Sequence, residues 1–481
     1  MVYIVAGLAG ALTAWSFAPN YWWTAILAMA LMLTLLASLI RKNRMRATAV
    51  FALVFFGFHV QWVNVLGIDA WIALTILCSL PWLLLGAFNL DSTNYWFYLV
   101  PAAAVVAIET IRGTIPWGGF SWGLLAYSQL DGPLVNLATL GGQGLVSGAV
   151  VACAAAVVKL LKHRQLSALI VIVMLLLISR GVDTMQSTQT VTLAAIQGNV
   201  PRVGNELSTQ RAAVLNNHLE VTQQLLTDIA DKTVAQPDLI VWPESGTDID
   251  PLQPGLAADE IADLVSSTDI PVLIGATTWG SGDGSKSSGP RNAGILWQRD
   301  SGPGEMYFKN HLVPFGEYIP LREFIARFIS RFDQIPSDFI AGTEPGVFEV
   351  GNSKIGDVIC FEVAYADRIQ KTIAAGAQVM VVQTNNATYG NTTQPAQQFA
   401  ITRFRAIESQ RAFLVASTSG ISGLIRNDGT VIAQTRQFEA DTVVGEVELI
   451  SDRTFTHRYP HWVLVVSILI LIFALRRNRV K

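Results

Sequence analysis

Charged residues are scarce in this chain of 481 residues: they make up 14% of it, against ~25% in an average soluble protein. The deficit is confined to the first part, since residues 1–180 carry 13 charged side chains and the other 301 residues carry 56. This composition excludes a soluble domain for 1–180 and indicates one for most of the remainder. The net charge of −3 gives no electrostatic reason to expect a nucleic-acid partner.

Cysteine and histidine are also rare, with three and six residues. Cys78 and Cys153 lie in apolar stretches, where cysteine behaves as a small hydrophobic residue. Cys360 is the only other cysteine, so it has no disulfide partner within its own domain. Such a thiol is either a core residue or a nucleophile. The histidines are scattered, and a structural role is expected for His311; we predict neither a metal nor a cofactor.

Long apolar segments dominate the first part of the chain. A helix needs ~20 apolar residues to cross a bilayer, and most of these segments reach that length. Seven precede residue 181 and one lies near the end, at about 1–19, 21–40, 47–67, 70–89, 95–112, 133–158, 166–180 and 461–475. The sequence therefore predicts a membrane helical bundle of about eight spans.

Basic residues near the ends of these spans predict the orientation. Eleven Lys and Arg residues follow the second, sixth and eighth spans, whereas the opposite short loops hold only Arg112. By the positive-inside rule both termini are cytoplasmic, and the segment between spans seven and eight lies outside. We expect a transmembrane domain at 1–180, an extracytoplasmic domain at 181–458, and a final helix with a basic tail at 459–481.

The segment between these spans has the texture of an α/β domain, because strand-like runs alternate with helix-like stretches. The strand-like runs are Thr190–Ile196, Asp238–Trp242, Pro271–Ala276, Lys354–Ile359, Val379–Gln383 and Ala412–Ala416. The helix-like stretches include Thr209–Ile229, Glu260–Ser266 and Gln394–Ser409, and the Gly- and Ser-rich run Gly280–Pro290 is expected to be a solvent loop.

Three short segments carry the candidate chemistry. Glu244 follows an apolar strand at a proline-stiffened turn, where α/β folds place functional groups. Lys309 and Glu317 lie among apolar and aromatic neighbours, so they are either a desolvated functional pair or a structural salt bridge. Cys360 ends another strand-like run, with Glu362 two residues beyond it.

In the order Glu244, Lys309, Cys360, these residues resemble the Glu-Lys-Cys triad of the nitrilase superfamily. With its spans, the whole chain resembles the apolipoprotein N-acyltransferases. That likeness includes three further segments: Tyr127–Leu134, Ala194–Val200 and Lys309–Glu317. The resemblance implies a nitrilase-like αββα sandwich and a place in a bacterial inner membrane.

The resemblance also implies roles and substrates. Cys360 attacks a phospholipid ester, and the resulting thioester passes its acyl chain to the α-amino group of an S-diacylglyceryl cysteine in an apolipoprotein. Glu244 is expected to act as general base, and Lys309 to favour the thiolate and stabilise the oxyanion. Glu317 would orient Lys309 or the substrate, and Glu362 matches another functional position of the family.

The chain departs from the common family pattern in three places. Phe361 follows the expected nucleophile where Tyr is often found, and Thr384–Gly390 reads T-N-N-A-T-Y-G where many members are closer to S-N-D-A-W-F-G. No tryptophan closely follows Gln197–Asn199, although many members have one in that loop. In the membrane part, Pro116–Trp122 is either an interfacial wall or an ordinary Trp belt. Glu109 and Arg112 are expected to form a structural ion pair.

Two other functions remain open at this point. A membrane-anchored nitrilase-type amidase would use the same triad and pass its acyl group to water. A transporter or scaffold would explain the spans but would give Glu244, Lys309 and Cys360 no shared purpose, and few charges lie within the spans to form an ion path.

Overall fold

The computed structural model of the chain describes residues 1–17, 21–200, 212–279, 289–325, 327 and 337–479. Their internal contacts define two compact units. One consists mainly of Met1–Thr184 and Arg453–Lys481, and the other of Met185–Ala406 and Gln410–Asp452. The run Gly280–Pro290, predicted to be a solvent loop, lies outside the described residues up to position 288.

The first unit is helical, as its continuous apolar composition predicts. Its helices up to residue 184 are α1 (Val2–Trp15), α2 (Trp22–Leu36), α3 (Arg41–His59), α4 (Ile68–Ser79), α5 (Leu83–Ala87), α6 (Leu99–Arg112), α7 (Ala138–His163) and α8 (Ala168–Arg180). In the described part of the chain, three helical stretches are long and apolar enough to cross a membrane: Ile68–Ala87, Tyr95–Arg112 and Val135–His163. The apolar helices α1, α2 and α8 are shorter. The number of spans stays a prediction.

Two details of this unit differ from the sequence-based expectation. The basic cluster after the second apolar segment begins helix α3 instead of forming a loop, because Arg and Lys are good helix formers. The ion pair predicted between Glu109 and Arg112 is absent from the described contacts. Arg112 instead donates to the carbonyl oxygens of Phe120 (2.7 Å) and Trp122 (2.6 Å). The Glu109 carboxylate accepts from a backbone N–H.

The second unit contains two six-stranded sheets. The first has the order β12-β1-β2-β3-β4-β5, with β1 Thr190–Gln197, β2 Leu239–Val241, β3 Val272–Trp279, β4 Pro290–Gln298, β5 Gly302–Phe308 and β12 Asp441–Glu448. The second has the order β11-β10-β9-β8-β7-β6, with β6 Gly346–Val350, β7 Ser353–Ile359, β8 Val379–Thr384, β9 Phe413–Ser417, β10 Gly423–Ile425 and β11 Val431–Gln434.

Each sheet has three parallel strands at its centre, β1-β2-β3 in one and β7-β8-β9 in the other, and antiparallel strands beside them. A core of apolar side chains from both sheets fills the space between them. Helices α9 (Ala213–Ala230) and α10 (Leu256–Ser266) bury their apolar sides against the outer face of the first sheet. Helices α12 (Ala366–Ala374) and α13 (Gln394–Ser409) lie on the second sheet. The unit is an αββα sandwich, which confirms the predicted fold class.

All six strand-like runs in the sequence overlap strands of the structure. Central strands such as β2 and β8 are buried at every position, and they are recognisable because burial on both faces requires an unbroken apolar run. The other strands carry more polar residues or glycine, as in β5 and β12, or are only three or four residues long, as are β10 and β11, and they were not predicted. The stretch expected to be helical at Thr209–Ile229 is helical from Ala213, and its residues 209–211 lie outside the described residues.

The remaining helices are the four-residue α11 (Arg322–Ile325), α14 (Phe455–Arg458) and the C-terminal α15 (Trp462–Arg479). For the candidate site, the decisive feature is the parallel arrangement of the central strands. Parallel strands end at the same edge of a sheet, so residues that follow β2, β7 and β8 are carried to one end of the sandwich.

Candidate active site

Cys360 stands immediately after β7 in a strained backbone conformation. Its φ of +54° lies in the left-handed region, which is uncommon for a residue with a Cβ. The chain then enters a short 3₁₀ turn, Cys360–Ala364. Buried Arg405 fixes that turn by donating to the carbonyl oxygens of Val363 (3.0 Å) and Ala364 (2.7 Å). A sharp, braced turn of this kind projects the thiol beyond the end of the strand.

Glu244 occupies the turn after β2, and its carboxylate is almost fully buried. Its Oε2 accepts the backbone N–H of Asn385 at 2.9 Å. Its Oε1 accepts from Asn292 Nδ2 at 2.5 Å and from Lys309 Nζ at 3.0 Å. These donors hold the carboxylate in one position.

Lys309 follows the last residue of β5, and its side chain is 1% exposed. Its ammonium lies between two carboxylates, 3.0 Å from Glu244 Oε1 and 2.8 Å from Glu317 Oε1. Burial acts to lower the pKa of Lys309, but the two carboxylates outweigh it and raise that pKa well above the ordinary value. Lys309 is therefore a buried cation at neutral pH.

Glu317 holds the other side of this ammonium. Its Oε2 accepts the backbone N–H of Val313 at 2.7 Å, and Asn292 Nδ2 lies 3.3 Å from its Oε1. Asn292, on β4, thus donates to both carboxylates that flank Lys309. Nothing in the sequence singles out Asn292, since it stands in a strand that the apolar pattern does not reveal.

The Cys360 thiol is protonated in this environment. Burial and the neighbouring Glu244 carboxylate raise the pKa of the thiol to about 12, while Lys309 and a hydrogen bond from Thr384 act in the opposite direction. The sequence-based expectation was that a nearby cation would favour the thiolate. In the structure the carboxylate and burial prevail over that cation, and the thiol donates its hydrogen to Glu244.

Glu362 lies close to Cys360 in sequence, but its carboxylate is directed into the protein and is fully buried. Its Oε2 accepts from Ile359 N (2.8 Å) and from the Tyr307 hydroxyl (2.7 Å). Its Oε1 accepts the backbone N–H groups of Asn310 (2.9 Å) and His311 (2.8 Å). Glu362 therefore ties the cysteine turn to the segment that begins at Lys309.

Comparison with known proteins decides the family. The family described as apolipoprotein N-acyltransferase N-terminal domain matches residues 9–156, and the carbon-nitrogen hydrolase family matches residues 192–453. The apolipoprotein N-acyltransferase of Mycolicibacterium smegmatis is 32% identical to this chain over 98% of it and 85% of the relative. That of Pseudomonas paraeruginosa is 30% identical over the whole chain and 96% of the relative. The chain belongs to the apolipoprotein N-acyltransferase family.

Among solved structures, Nit3 of Saccharomyces cerevisiae, a nitrilase-superfamily member, aligns with 58% of this chain and 97% of its own. The TM-score is 0.42 and the identity is 14%. Membership of the N-acyltransferase family confirms the resemblance noted in the sequence. The individual roles assigned to Glu244, Lys309, Cys360, Glu317 and Glu362 stay predictions.

Other polar residues of this N-acyltransferase site had no role assigned from the sequence. Thr384 ends β8 beside Cys360. Burial, together with the nearby Cys360 and Glu244, raises the pKa of the Tyr389 hydroxyl, and Lys309 acts in the opposite direction. The His311 ring stacks on Tyr365 with centroids 3.7 Å apart, and burial lowers its pKa to about 4, so it is neutral. Among the described residues, no group of three or more His, Cys, Asp or Glu side chains could hold a metal ion.

The geometry suits covalent acyl chemistry. A thiol that donates to a buried carboxylate can lose its proton as it attacks a carbonyl carbon. An ammonium beside that carboxylate can donate to the oxygen on which negative charge develops. The shared Asn292 contact and the four bonds to Glu362 hold these groups before any substrate arrives.

Proposed function

We propose that this protein transfers an acyl chain from a membrane phospholipid to the N-terminal α-amino group of S-diacylglyceryl cysteine in apolipoproteins, through a thioester on Cys360. It is an N-acyltransferase by family. The observation that carries the assignment of residues is the buried ammonium of Lys309 between the carboxylates of Glu244 and Glu317, next to a thiol that donates to Glu244.

In the first half-reaction, Glu244 takes the proton of Cys360 while Sγ forms a bond to the ester carbonyl carbon. Lys309 donates to the carbonyl oxygen as it becomes an oxyanion. Collapse of this intermediate breaks the carbon–oxygen ester bond, and Glu244 returns the proton to the departing alkoxide. The products are the Cys360 thioester and a lysophospholipid.

In the second half-reaction, the amine of the lipoprotein cysteine attacks the thioester carbon, and Glu244 takes a proton from the amine. Lys309 again donates to the oxyanion. The carbon–sulfur bond then breaks, and Glu244 passes the proton to the departing sulfur. An amide forms, and the resting thiol is restored.

The high pKa of the Cys360 thiol fits this cycle. A thiolate is held only while a substrate carbonyl is present, because the proton moves to Glu244 as the bond to carbon forms. Between turnovers the nucleophile is a neutral thiol, which is far less reactive towards oxidants and alkylating reagents than a thiolate. Glu317 supports the mechanism by keeping the Lys309 ammonium in place.

We also propose eight spans for this membrane-associated acyltransferase. Residues 1–180 would supply seven spans and 459–481 the last, with both termini cytoplasmic and 181–458 on the outer face of the inner membrane. The distribution of basic residues supports this orientation. The bilayer holds both substrates, since each buried methylene contributes ~0.8 kcal/mol.

The orientation is tested with single cysteines in a background without Cys78, Cys153 and Cys360. Lys354→Cys, at a side chain that is 48% exposed, should react with a membrane-impermeant thiol reagent in intact cells whose outer envelope is opened. Lys42→Cys, at an exposed position near the start of α3, should react only after lysis. The reverse pattern would overturn the orientation.

The function is tested with purified protein and phospholipid in the absence of an acceptor. We expect one acyl group on the Cys360 peptide by mass spectrometry, removable with neutral hydroxylamine, and no such adduct in Cys360→Ala. A diacylglyceryl-cysteine peptide should then discharge the acyl group as an N-acyl product. Steady release of free fatty acid, without accumulation and without response to the peptide, would instead identify an amidase-like hydrolase.

A further inference from the structure

A chain of buried hydrogen bonds leads from the loop after β9 to the Cys360 sulfur. Its side chains are those of Ser417, Asn386, Gln398 and Thr384, each at most 4% exposed. Ser417 Oγ lies 3.0 Å from Asn386 Oδ1, Asn386 Nδ2 lies 2.7 Å from Gln398 Oε1, and Gln398 Nε2 lies 3.0 Å from Thr384 Oγ1. The next contact is from Thr384 to Cys360.

The first bonds of this chain run in one direction. The N–H of Gly420 donates to Ser417 Oγ at 2.9 Å, and the Ser417 hydroxyl donates to Asn386 Oδ1 at 3.0 Å. The NH₂ group of Asn386 faces two acceptors, Gln398 Oε1 at 2.7 Å and Gln394 Oε1 at 2.9 Å.

The bonds continue in this direction through Gln398 and Thr384. Gln398 Oε1 accepts from Asn386 and also from Gln394 Nε2 at 3.0 Å, so the NH₂ group of Gln398 faces Thr384. Because Thr384 Oγ1 accepts that bond, its single hydrogen is left for another acceptor. Every bond in the chain then points the same way, towards Cys360.

The strand register brings Cys360, the acceptor for the Thr384 hydrogen, next to Thr384. In the parallel pair β7–β8, Ile359 stands opposite Gln383, so the next residues, Cys360 and Thr384, leave the two strands side by side. The Thr384 hydroxyl makes a hydrogen bond with the thiol. A donor at this position strengthens when the sulfur becomes negative, since hydrogen bonds to charged acceptors are roughly twice as strong as neutral ones.

We propose that Thr384 is a further catalytic residue, which donates its hydroxyl hydrogen to Cys360 Sγ as the thiolate forms, and that Gln398 and Asn386 are positioning residues that direct this donor. The inference rests on the proposed role of Cys360 as the nucleophile. Lys309 acts on the same charge, but its ammonium is shared with two carboxylates, whereas the Thr384 hydrogen is directed at the sulfur by four successive bonds.

The test compares Thr384→Val, which keeps the shape and removes the hydroxyl, with Thr384→Ser, which keeps the hydroxyl. Both are made in the full chain with Cys78→Ala and Cys153→Ala, so that only Cys360 reacts with iodoacetamide. The alkylation rate is measured from pH 6.5 to 9.5, and the rate of acyl-enzyme formation is measured with phospholipid. Alkylation reports on the thiolate without requiring acyl transfer.

In Thr384→Val we expect the alkylation rate to fall about 10-fold at each pH, which corresponds to a rise of about one unit in the thiol pKa. Acyl-enzyme formation should slow by about 10- to 100-fold, in line with one lost hydrogen bond to a charged group. Thr384→Ser should restore both rates to within about threefold. Rates in Thr384→Val equal to those of the parent would overturn the proposal.

Gln398→Met provides an independent arm in which Thr384 is intact. It should lower the alkylation rate by a smaller factor, about threefold, and should have no further effect when combined with Thr384→Val, because Gln398 acts only through Thr384. Additive effects would overturn the positioning role. If Thr384→Val does not fold, a parent-like alkylation profile in Gln398→Met overturns the proposal by itself.

The two readouts separate this inference from the proposed function. A shifted alkylation profile with fatty-acid release in place of N-acyl product would support the Thr384 donor and refute the transferase. An unshifted profile with normal N-acyl transfer would refute the donor and support the transferase.

Discussion

Replacement of Lys309 by Met tests whether its ammonium stabilises the two buried carboxylates beside it. Met has a similar length and no charge, so the change removes the ammonium that lies 3.0 Å from Glu244 and 2.8 Å from Glu317. Both carboxylates remain, with side chains only 8% and 13% exposed. The variant therefore leaves two buried negative charges without their cation.

The expected loss of stability depends on the hydrogen bonds that the two carboxylates retain in Lys309→Met. Removal of one partner from a buried ion pair typically costs 3–5 kcal/mol. Glu244 retains bonds from Asn292 and Asn385, and Glu317 retains the Val313 N–H. We therefore expect a loss near the lower limit, about 3 kcal/mol, or about 6–12 °C in the unfolding midpoint of a domain of this size.

The assay is thermal unfolding of the purified protein, with Lys354→Met as the matched control. Lys354 pairs with Glu349 at 3.3 Å on the surface, with side chains 48% and 68% exposed, and its loss should cost less than about 1 kcal/mol. Adding Glu317→Gln to Lys309→Met should restore part of the stability, because one of the two like charges disappears. Acyl-enzyme formation should stay at least about 100-fold reduced in both variants, since the proposed oxyanion donor is gone.

Two results would refute this reasoning. One is an unfolding midpoint of Lys309→Met equal to that of Lys354→Met. The other is a further loss of stability when Glu317→Gln is added. Either would mean that the buried carboxylates do not depend on the ammonium for their stability.

Three more changes test other parts of the site. Glu362→Gln should slow acyl-enzyme formation by about 100-fold at equal protein level. The NH₂ group of the glutamine would face a backbone N–H, since backbone N–H groups are among the four donors to this carboxylate. A rate within threefold of wild type would contradict that positioning role. Asp357→Asn addresses a carboxyl whose pKa is held well above its ordinary value by burial and the nearby Glu362. Because the pKa of Asp357 is raised in the folded state, the stability of the wild type falls as pH rises above the unfolded-state pKa of ~3.9. The unfolding free energy of Asp357→Asn minus that of wild type should therefore grow from pH 5 to pH 8, by at most ~1.4 kcal/mol per pH unit. A constant difference would show that the carboxyl is ionised. Gly294→Ala would place a Cβ against the side chains of Asp357 and Gln383, and calorimetry should show a loss of about 1–3 kcal/mol from overpacking, whereas unchanged stability would show that these side chains can move aside.

The amino-acid sequence by itself determined the broad organisation of this protein. The scarcity of charge in 1–180 and the length of the apolar runs predict a helical unit, because unpaired charges and backbone polar groups are costly in hydrocarbon. The central strands of the sandwich are equally visible, since strands buried on both faces must be continuously apolar. Strands such as β5 and β12 contain polar residues and glycine, so they are not continuously apolar.

The candidate residues were recognisable as types, each at the end of an apolar run or among apolar neighbours. Glu244, Lys309 and Cys360 are separated by 65 and 51 positions, and no local rule relates residues so far apart. Their meeting depends on the parallel pairing within each sheet and on the packing of one sheet on the other. Asn292, which donates to both carboxylates, has no signal in the sequence at all.

Tertiary structure also decided the protonation states in the site and the direction of its hydrogen bonds. Glu362 is only two residues from Cys360 in sequence, yet the turn directs its carboxylate inwards, where four donors hold it. Cys360 is a neutral thiol because burial and Glu244 outweigh the nearby cation. The hydrogen bonds that join Ser417, Asn386, Gln398 and Thr384 all run towards Cys360. Their direction depends on the neighbours that folding brings together, not on the order of residues along the chain.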